Sequence, residues 1–595
     1  MSKEHGMDRE ISPESSSVYP LFQLRKGIEK ELANKTGYSG ENVRLQEAPS
    51  NMGVDYGFQI ASVAKGLREN PVQLAQKLAG QHWNVKYLSN IVNQGPYLNF
   101  KLEMGGFGNS VLDQVISMGK EYGKDNIGKG RRVVVDMSSP NIAKEMGYGH
   151  LRSTIIGDAI SNLYDAEGYK VVRDNHIGDW GTQFGKQIAA LKLWGNEKEL
   201  LKSKEPVGEL QKLYQKFHAE AEKEPKLDDL GREWFLKLEQ GDPEAKRLWK
   251  MCVDLSLKQF NEVYNVLKVK FDVTLGESFY EPMLKGVMQK VEKSPISKRS
   301  EGALVVDMAD KNLGVAIIQK KDGASVYMTR DLAAAIYREE KMKADKAIYV
   351  VGEDQKLYFR QLFEVLGRMG HSIGEKSEHV YFGMVRTEEG KMSTRKGTTI
   401  LLKDVINEGL TRAENVIEKR NPDLFSNRKK REEVSKQVAI GALKWNDLCA
   451  DARRPILFNW DNALNFEGYS APYVQYAAVR CDRILEKSGL DVDDLKGKAG
   501  KVGGIYEQPA EKKLIKTIAS YPSVLREAQE QNNPSIVASG VFELAKQFSS
   551  FYNDVPVLNT KDEAIKISRL KLVAATSQVI KNSMAVLGIE IPREM

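Results

Sequence analysis

One segment, residues 133–173, constrains the fold more than any other part of the chain. Its first four residues, 133–136, form a β-branched run that favours a buried strand, and a polar turn and an amphipathic helix over about 151–167 follow. A second strand-like run covers 169–173. This order predicts a right-handed βαβ unit of a parallel sheet. Because ligands of such sheets bind at the carboxyl ends of the strands, we expect a functional site within 136–150.

The length of 595 residues predicts several domains, since one hydrophobic core does not serve a chain of this size. Residues 1–125 mix helix and strand patterns, which predicts a small N-terminal α/β domain. Residues 126–425 contain the parallel sheet, which a further strand over 346–351 extends, and a lysine- and glutamate-rich helical insertion over about 196–268. Residues 426–595 carry helix-period apolar positions, so we expect an all-α bundle there.

The composition excludes several classes of protein. Hydrophobic residues make up 41% and charged residues 28%, which is typical of a globular chain and not of a disordered or collagen-like one. The net charge of +7 permits a polyanionic partner without requiring one. No apolar run is long enough for a membrane span, and the first residues do not resemble a secretory signal, so we expect a cytoplasmic protein. Three widely separated cysteines predict neither disulfides nor a zinc site.

The turn after the first strand holds the residues best suited to bind a phosphate. Pro140, Gly147 and Gly149 interrupt regular structure and let the backbone approach a ligand, and His150 falls at the start of the predicted helix. Amide groups at a helix N-terminus attract phosphate, and an imidazole there can donate a hydrogen bond as negative charge develops. Taken alone, this pattern fits a helix cap or a buried histidine equally well.

A second segment, 390–397, is a loop bounded by glycines. It contains Lys391, Arg395 and Lys396, whose positive charges could neutralise a triphosphate and a pyrophosphate leaving group. By itself such a loop is more typical of a solvated basic turn. Both segments follow a candidate strand, however, and the combination favours a nucleotide site.

The two segments resemble the signatures of class I aminoacyl-tRNA synthetases, which are a His-x-Gly-His segment and a Lys-Met-Ser-Lys-Ser loop. The chain is most similar to the arginyl family of this class. The segments that carry this closer resemblance are Ser-Ser-Pro-Asn-Ile-Ala-Lys at 138–144, Asn-His-Ile-Gly-Asp-Trp-Gly-Thr-Gln-Phe-Gly at 175–185, Tyr-Met-Thr-Arg-Asp at 327–331, and the stretches 460–468, 472–477 and 587–595. The resemblance covers nearly the whole chain. It implies a Rossmann-type catalytic domain between a tRNA-contacting N-terminal domain and a helical anticodon-binding domain.

The resemblance also implies an activity and its residues. The activity is ligation of L-arginine to the 3′-terminal adenosine of tRNA(Arg) through an adenylate, with ATP and Mg²⁺ as the substrate complex, no tightly bound cofactor or metal, and a monomeric enzyme. The implied catalytic residues are Lys144, His150, Lys391, Arg395 and Lys396. The implied ATP contacts are Gly147, Gly149, His150, Met392 and Ser393. The implied arginine pocket comprises Asp136, Asn141, Tyr327, Asp331 and Gln355. The implied tRNA contacts are Tyr473, Gln475, Tyr476 and Arg480.

The chemistry of arginine agrees with this pocket. A guanidinium is planar, permanently charged and rich in donors, so a site that distinguishes it from lysine needs fixed acceptors and carboxylates. Asp136 and Asp331 both fall at predicted strand ends, where we expect their side chains to converge. In the implied tRNA site, Tyr473 and Tyr476 fit packing inside the helical bundle as well as they fit stacking on bases.

Three positions depart from the family pattern. Gly147 replaces the first histidine of the signature, which removes a phosphate donor and predicts reduced turnover rather than inactivity. Thr394 replaces the second lysine of the basic loop, and the resemblance implies that Lys144 takes its place on the ATP phosphates. Tyr358 stands where the family usually has histidine, and its hydroxyl can keep a hydrogen bond.

Two other functions remain open at this point. One is a class I synthetase for cysteine or leucine, although Asp136 and Asp331 argue against an apolar substrate side chain. The other is a catalytically silent tRNA-binding protein, which Gly147 suggests. The presence of Lys144 and His150 argues against it, because a binding protein does not need an ATP site.

Overall fold

A computed structural model describes residues 18–38, 43–49, 52–387, 390–391, 401–422, 427–498 and 506–595. The contacts of the chain divide it into two compact units. One unit comprises residues 1–127, 465–586 and 590–595, and the other comprises residues 128–464 and 587–589. The three domain boundaries expected from the sequence stay a prediction.

The elements follow in chain order. The first 127 residues contain α1 (Pro20–Thr36), β1 (Gln46–Glu47), β2 (Tyr56–Gln59), α2 (Ala61–Leu67), α3 (Pro71–Ala79), β3 (Leu88–Gln94), β4 (Tyr97–Leu102) and α4 (Met104–Met118). Residues 128–340 contain β5 (Arg132–Asp136), α5 (Tyr148–Ala166), β6 (Lys170–Asp174), α6 (Thr182–Trp194), α7 (Glu197–Leu200), α8 (Pro206–Ala221), α9 (Lys226–Gln240), α10 (Pro243–Leu267), α11 (Glu277–Lys293), β7 (Ser297–Ser300), β8 (Ala303–Asp307), β9 (Val315–Gln319) and α12 (Tyr327–Glu340).

Residues 341–464 contain β10 (Lys346–Gly352), α13 (Lys356–Arg368), α14 (Ser372–Lys376), β11 (Glu378–Phe382), β12 (Val385–Thr387), β13 (Gly390–Lys391), α15 (Leu402–Arg420), α16 (Arg428–Leu448), β14 (Ile456–Leu457) and α17 (Trp460–Ala463). The last part of the chain contains α18 (Ala471–Ser488), α19 (Val492–Lys498), α20 (Pro509–Glu530), α21 (Ser535–Asp554) and α22 (Glu563–Val586). None of the described helices is both long and apolar enough to cross a bilayer.

A parallel sheet with strand order β11-β10-β5-β6 forms the centre of the second unit. Val133, Val134 and Val135 of β5 are fully buried, as expected for a strand covered on both faces. The chain runs from β5 through α5 to β6 on one side, and β10 later pairs with β5 on the other side. The carboxyl ends of β5 and β10 therefore flank a topological switch point, which is where ligands of such sheets bind. The predicted βαβ unit and the added strand are confirmed.

The region predicted as a helical insertion consists of α7 to α10 in the described structure. Its apolar residues pack onto α6: Phe217 and Ala221 of α8 form one buried cluster with Ala189 and Ala190. The charged residues of these helices lie mainly on exposed positions, so the insertion is an amphipathic helical layer held by a small core.

The first unit combines an N-terminal antiparallel sheet, in the order β1-β2-β4-β3, with the C-terminal helices. Gly95 adopts a φ of +55° in the turn between β3 and β4, a conformation that glycine accepts most easily. Helix α22 is buried along most of its length, with every residue from Ile567 to Ser577 buried, which places it at the centre of the helical domain. Its Lys571 ammonium lies 2.7 Å from the carboxylate of Asp113 on α4.

Residues 587–589 belong to the second unit, although the helix before them belongs to the first. The carbonyl of Gly588 accepts a hydrogen bond of 2.6 Å from the buried Lys444 ammonium of α16. Gly588 has a φ of +66°, and a Cβ atom there would lie 2.8 Å from Asp158 Oδ2 of α5. Both its conformation and its surroundings therefore require glycine at this position.

Candidate functional site

Asp136, the last residue of β5, is 6% exposed and contacts an arginine of the chain itself. Arg338 Nη2, on α12, donates to Asp136 Oδ2 at 2.6 Å and to Asp174 Oδ2, at the end of β6, at 2.7 Å. Burial alone would lower the pKa of Arg338, but the two aspartates raise it well above its usual value. Burial raises the pKa of Asp174. Two carboxylates share one guanidinium, so one negative charge remains at the strand ends when both are ionised.

Asp331 lies inside helix α12 and not at the end of a strand, which corrects the element predicted for it. Asp331 precedes Arg338 by seven residues, about two turns of α12, so both side chains lie on the same face of this helix. Burial raises the pKa of Asp331, whereas the nearby His176 lowers it. The hydroxyl of Tyr358 donates to Asp331 Oδ2. Tyr358, which stands where the family usually has histidine, therefore orients a carboxylate of the predicted pocket.

Glu277, the first residue of α11, is a further carboxylate of this cluster and was not among the residues predicted from the sequence. Burial is the main cause that raises its pKa to about 7; the charge of His176 opposes this rise, and that of Asp331 adds to it. Among the described residues, Glu277 Oε2 is buried without a hydrogen-bond partner. A glutamate at the start of a helix is an ordinary capping residue by sequence, so no local pattern marks it as part of a site.

The loop after β6 fixes the start of α11. Asp179 is buried, and its carboxylate accepts hydrogen bonds from the backbone amide and the hydroxyl of Ser278, at 2.8 and 2.7 Å. His176 Nδ1 lies 2.9 Å from the carbonyl of Leu275. These contacts set the position of Glu277, which directly precedes Ser278.

The other three predicted arginine contacts are solvent-accessible. Asn141 is exposed and forms a bridge with Gly178, where a Cβ atom would lie 2.1 Å from Asn141 Oδ1. Tyr327 is 62% exposed at the start of α12, and Gln355 is exposed just after β10. The structure therefore places Asp136 and Asp331 beside Arg338 and leaves the other three predicted side chains exposed to solvent.

The turn between Asp136 and His150 is strained. Ser138, Ser139 and Ala143 have φ angles of +72°, +49° and +58°, which non-glycine residues rarely adopt. Their backbone amides donate to Ser153 Oγ, Asn175 Oδ1 and Ser256 Oγ, respectively. Each such conformation costs about 1–3 kcal/mol, and such strain clusters at functional sites. The strain supports a role for this turn in binding.

His150 is the third residue of α5, as predicted, and its tautomer follows from a backbone contact. The amide of Gly147 donates to His150 Nδ1 at 3.0 Å, so the neutral ring carries its proton on Nε2. Burial lowers the pKa of His150, and the charge of Lys144 lowers it further. The imidazole is therefore neutral near pH 7 and can donate one hydrogen bond from Nε2.

The basic loop falls largely outside the described residues. Met392, Ser393, Thr394, Arg395 and Lys396 are not among them, so their assignment to ATP stays a prediction. The backbone of Lys391 is described as the end of strand β13, which pairs with β12.

Family models match almost the entire chain. The model described as tRNA synthetases class I (R), catalytic domain, matches residues 111–460, the DALR anticodon binding domain matches 474–595, and the arginyl tRNA synthetase N terminal domain matches 23–102. The chain belongs to the arginyl-tRNA synthetase family. Among curated members, the arginine–tRNA ligase of Halothermothrix orenii is 41% identical over 541 residues, which cover 91% of this chain and 94% of that protein.

Another arginine–tRNA ligase, from Clostridium perfringens, is 42% identical over 577 residues, covering 96% of this chain and 100% of that protein. The solved arginyl-tRNA synthetase of Thermus thermophilus superposes with a TM-score of 0.78 at 25% identity, covering 96% of this chain and 100% of that one. The predicted fold class, with its parallel-sheet catalytic domain and helical C-terminal domain, is confirmed for this arginyl-tRNA synthetase family member.

Helix α18 of the arginyl-tRNA synthetase fold carries the predicted tRNA contacts, and one of them needs correction. Gln475 is fully buried and donates from Nε2 to the carbonyl of Glu590 at 2.7 Å, so its side chain does not face solvent or RNA. Tyr473 is half-buried, with its ring centroid 5.1 Å from that of Phe542, which agrees with packing inside the helical domain.

The other two predicted contacts, Tyr476 and Arg480, form a cation–π group with Tyr552. The Arg480 guanidinium lies 4.7 Å from the ring centroid of Tyr476 and 5.3 Å from that of Tyr552. Tyr552 is an exposed aromatic residue on α21. Such an arrangement offers planar faces to an unpaired base.

Proposed function

We propose that this chain, acting as a monomer, activates L-arginine with magnesium-bound ATP and transfers the arginyl group to the 3′-terminal adenosine of tRNA(Arg). The observation that carries this proposal is the carboxylate cluster of Asp136, Asp331 and Glu277 beside the switch point of the parallel sheet. An arginine side chain supplies the positive charge and the five N–H donors that such a cluster can satisfy. An apolar substrate such as leucine would leave buried charge without a partner.

In the first step, a carboxylate oxygen of arginine attacks the α-phosphorus of ATP, and the bond to pyrophosphate breaks. In the second step, a ribose hydroxyl of tRNA attacks the carbonyl carbon of the adenylate, and AMP leaves. Neither step requires a protein nucleophile, so catalysis rests on positioning and on stabilising charge.

The phosphate groups have several proposed contacts. His150 donates from Nε2 to a phosphate oxygen, and Lys144 provides positive charge. The resemblance adds Gly147, Gly149, Lys391, Met392, Ser393, Arg395 and Lys396 to this set. The magnesium ion arrives with ATP as part of the substrate.

Substitution of Gly147 by histidine restores the family signature and is expected to increase turnover, by up to about 100-fold, because one phosphate donor returns. Gly147 has φ −93° and ψ 174°, which any residue adopts, so the backbone accepts the change. The measurement is the rate of arginine-dependent ATP–pyrophosphate exchange, with Gly147→Ala as the matched control. An unchanged or lower rate for the histidine variant would show that the missing donor does not limit turnover.

Arginine use is expected to weaken as the pH falls through about 7. Burial raises the pKa of Asp331, and it raises the pKa of Glu277 to about 7. Protonation removes the negative charge that attracts the guanidinium, so affinity is full above this pH. If a single carboxylate with a pKa of about 7 controls binding, the KM for arginine should rise about tenfold between pH 8 and pH 6. In Glu277→Gln the profile should be flatter, and a pH-independent KM in the parent enzyme would contradict the prediction.

Charging of purified tRNA with radiolabelled arginine, ATP and Mg²⁺ tests the proposed function, with lysine, cysteine and leucine as competing substrates. Arginine-specific charging is the expected result. Binding of tRNA without charging of any amino acid would instead identify a catalytically silent homologue, and charging with cysteine or leucine would overturn the pocket assignment.

A further inference from the structure

Helix α8 of the insertion contacts the residues that lead to His150. Gln211 Oε1, on α8, accepts a hydrogen bond of 2.8 Å from the backbone amide of Glu145. The ammonium of Lys144 lies 5.7 Å from the ring centroid of Tyr214, which follows Gln211 by three residues, or about one turn of α8. The insertion therefore contacts the backbone and a side chain of the turn that carries the proposed phosphate-binding lysine.

The same turn contacts the start of α15, the helix that follows the predicted basic loop in sequence. Gly147 and Leu401 form an antiparallel bridge, and the amide of Leu402 donates to the carbonyl of Met146 at 2.8 Å. These backbone contacts place the first residues of α15 beside the N-terminus of α5.

Lys403, near the start of α15, forms ion pairs with both the turn before His150 and the residue before α8. Its Nζ atom lies 2.7 Å from Glu145 Oε1 and 2.6 Å from Glu205 Oε2, at the residue that directly precedes α8. The side chain of Glu145 is 12% exposed and that of Lys403 is 34% exposed, so this ion pair is less screened than a surface pair. Without the ammonium, two carboxylates would face each other.

We propose that Lys403 is a positioning residue of the ATP site, which holds the turn 144–147 against α15 and against the insertion. The ammonium is occupied by two glutamates of the chain, so it acts through the turn and not on the substrate directly. Lys144 and His150 flank the anchored residues, and a small displacement of groups that stabilise a transition state lowers the rate strongly. This inference rests on the proposed function, because it assigns the turn to ATP.

The test compares Lys403→Met, Lys403→Arg and the control Lys298→Met. Lys298 forms an exposed ion pair of 2.7 Å with Asp307 on the antiparallel sheet β7-β8-β9, away from the proposed site residues in sequence. In tRNA-dependent ATP–pyrophosphate exchange, we expect Lys403→Met to lower kcat/KM for ATP by about 10- to 100-fold. The KM for the substrate arginine should change less than about twofold. Lys403→Arg should restore most of the ATP kinetics because it keeps the positive charge.

Direct binding of a non-hydrolysable MgATP analogue, measured by calorimetry, is the second readout, and the Tm of each variant is the control for folding. Analogue binding should weaken about tenfold in Lys403→Met only. ATP kinetics equal to those of Lys298→Met, or equal losses for ATP and arginine together with a lowered Tm, would overturn the inference.

The two readouts also separate this inference from the proposed function. If the parent protein binds the analogue but charges no arginine, the proposed function fails while the effect of Lys403→Met on binding still decides the positioning role. If the parent protein does not bind the analogue, the positioning role is overturned as well.

Discussion

Replacing Asp331 with asparagine is expected to lower kcat/KM for arginine by about 100- to 1,000-fold. The substitution keeps the shape of the side chain but removes its charge, and loss of one partner from a buried charge pair costs about 2–5 kcal/mol. The kcat/KM for ATP, measured at saturating arginine, should change much less, because Asp331 lies in the carboxylate cluster and not in the turn before His150. Charging rates at varied arginine and at varied ATP measure the two effects.

Two control variants test whether the loss of arginine use comes from the Asp331 carboxylate itself. Tyr358→Phe removes the hydroxyl that donates to Asp331 but keeps the carboxylate, so it should reduce arginine use by about tenfold or less. Asp322→Asn changes an exposed aspartate in the turn before α12 and should leave the kinetics unchanged. Arginine kinetics in Asp331→Asn within about threefold of the parent enzyme would remove Asp331 from the pocket.

Replacing Arg338 with methionine is expected to reduce the free energy of unfolding by about 3–5 kcal/mol, because Asp136 and Asp174 would remain buried without a compensating charge. Urea unfolding at pH 7 measures this loss. The matched control is Arg247→Met, since Arg247 also binds two carboxylates, those of Glu197 and Glu244, but on the exposed surface of the insertion.

The control should have a much smaller effect, because exposed ion pairs contribute little to stability. If Arg338→Met destabilises the protein no more than Arg247→Met does, the buried triad does not stabilise the fold as argued.

The elements with a clear period could be predicted from the sequence. The β-branched run 133–136, the helix after it and the strand 169–173 appear within one to three residues of their predicted positions, because burial on both faces of a parallel strand leaves a continuous apolar run. The helical character of the C-terminal residues could be predicted for the same kind of reason, since apolar residues there recur at the helical period.

The contacts of the site could not be predicted in the same way. Arg338 and Asp136 are 202 positions apart, and the packing of α12 against the parallel sheet brings them together. Asp331 was predicted at a strand end, whereas the alanine-rich residues after it continue a helix that delivers it to the same cluster. The motif that contains Gln475 led to the prediction that this side chain faces RNA. The motif does not show that Glu590, near the C-terminus, covers this side of α18.

The contact between Gly588 and Lys444 bears on the order in which the protein can be completed. The unit built around the parallel sheet begins near residue 128, yet one of its buried ammonium groups finds its carbonyl partner only in residues 587–589. A nascent chain on the ribosome can form the sheet early but must leave this ammonium without that acceptor until translation has passed residue 589. The arginine-activating unit therefore reaches its final set of contacts only after the anticodon-domain helices have been synthesised.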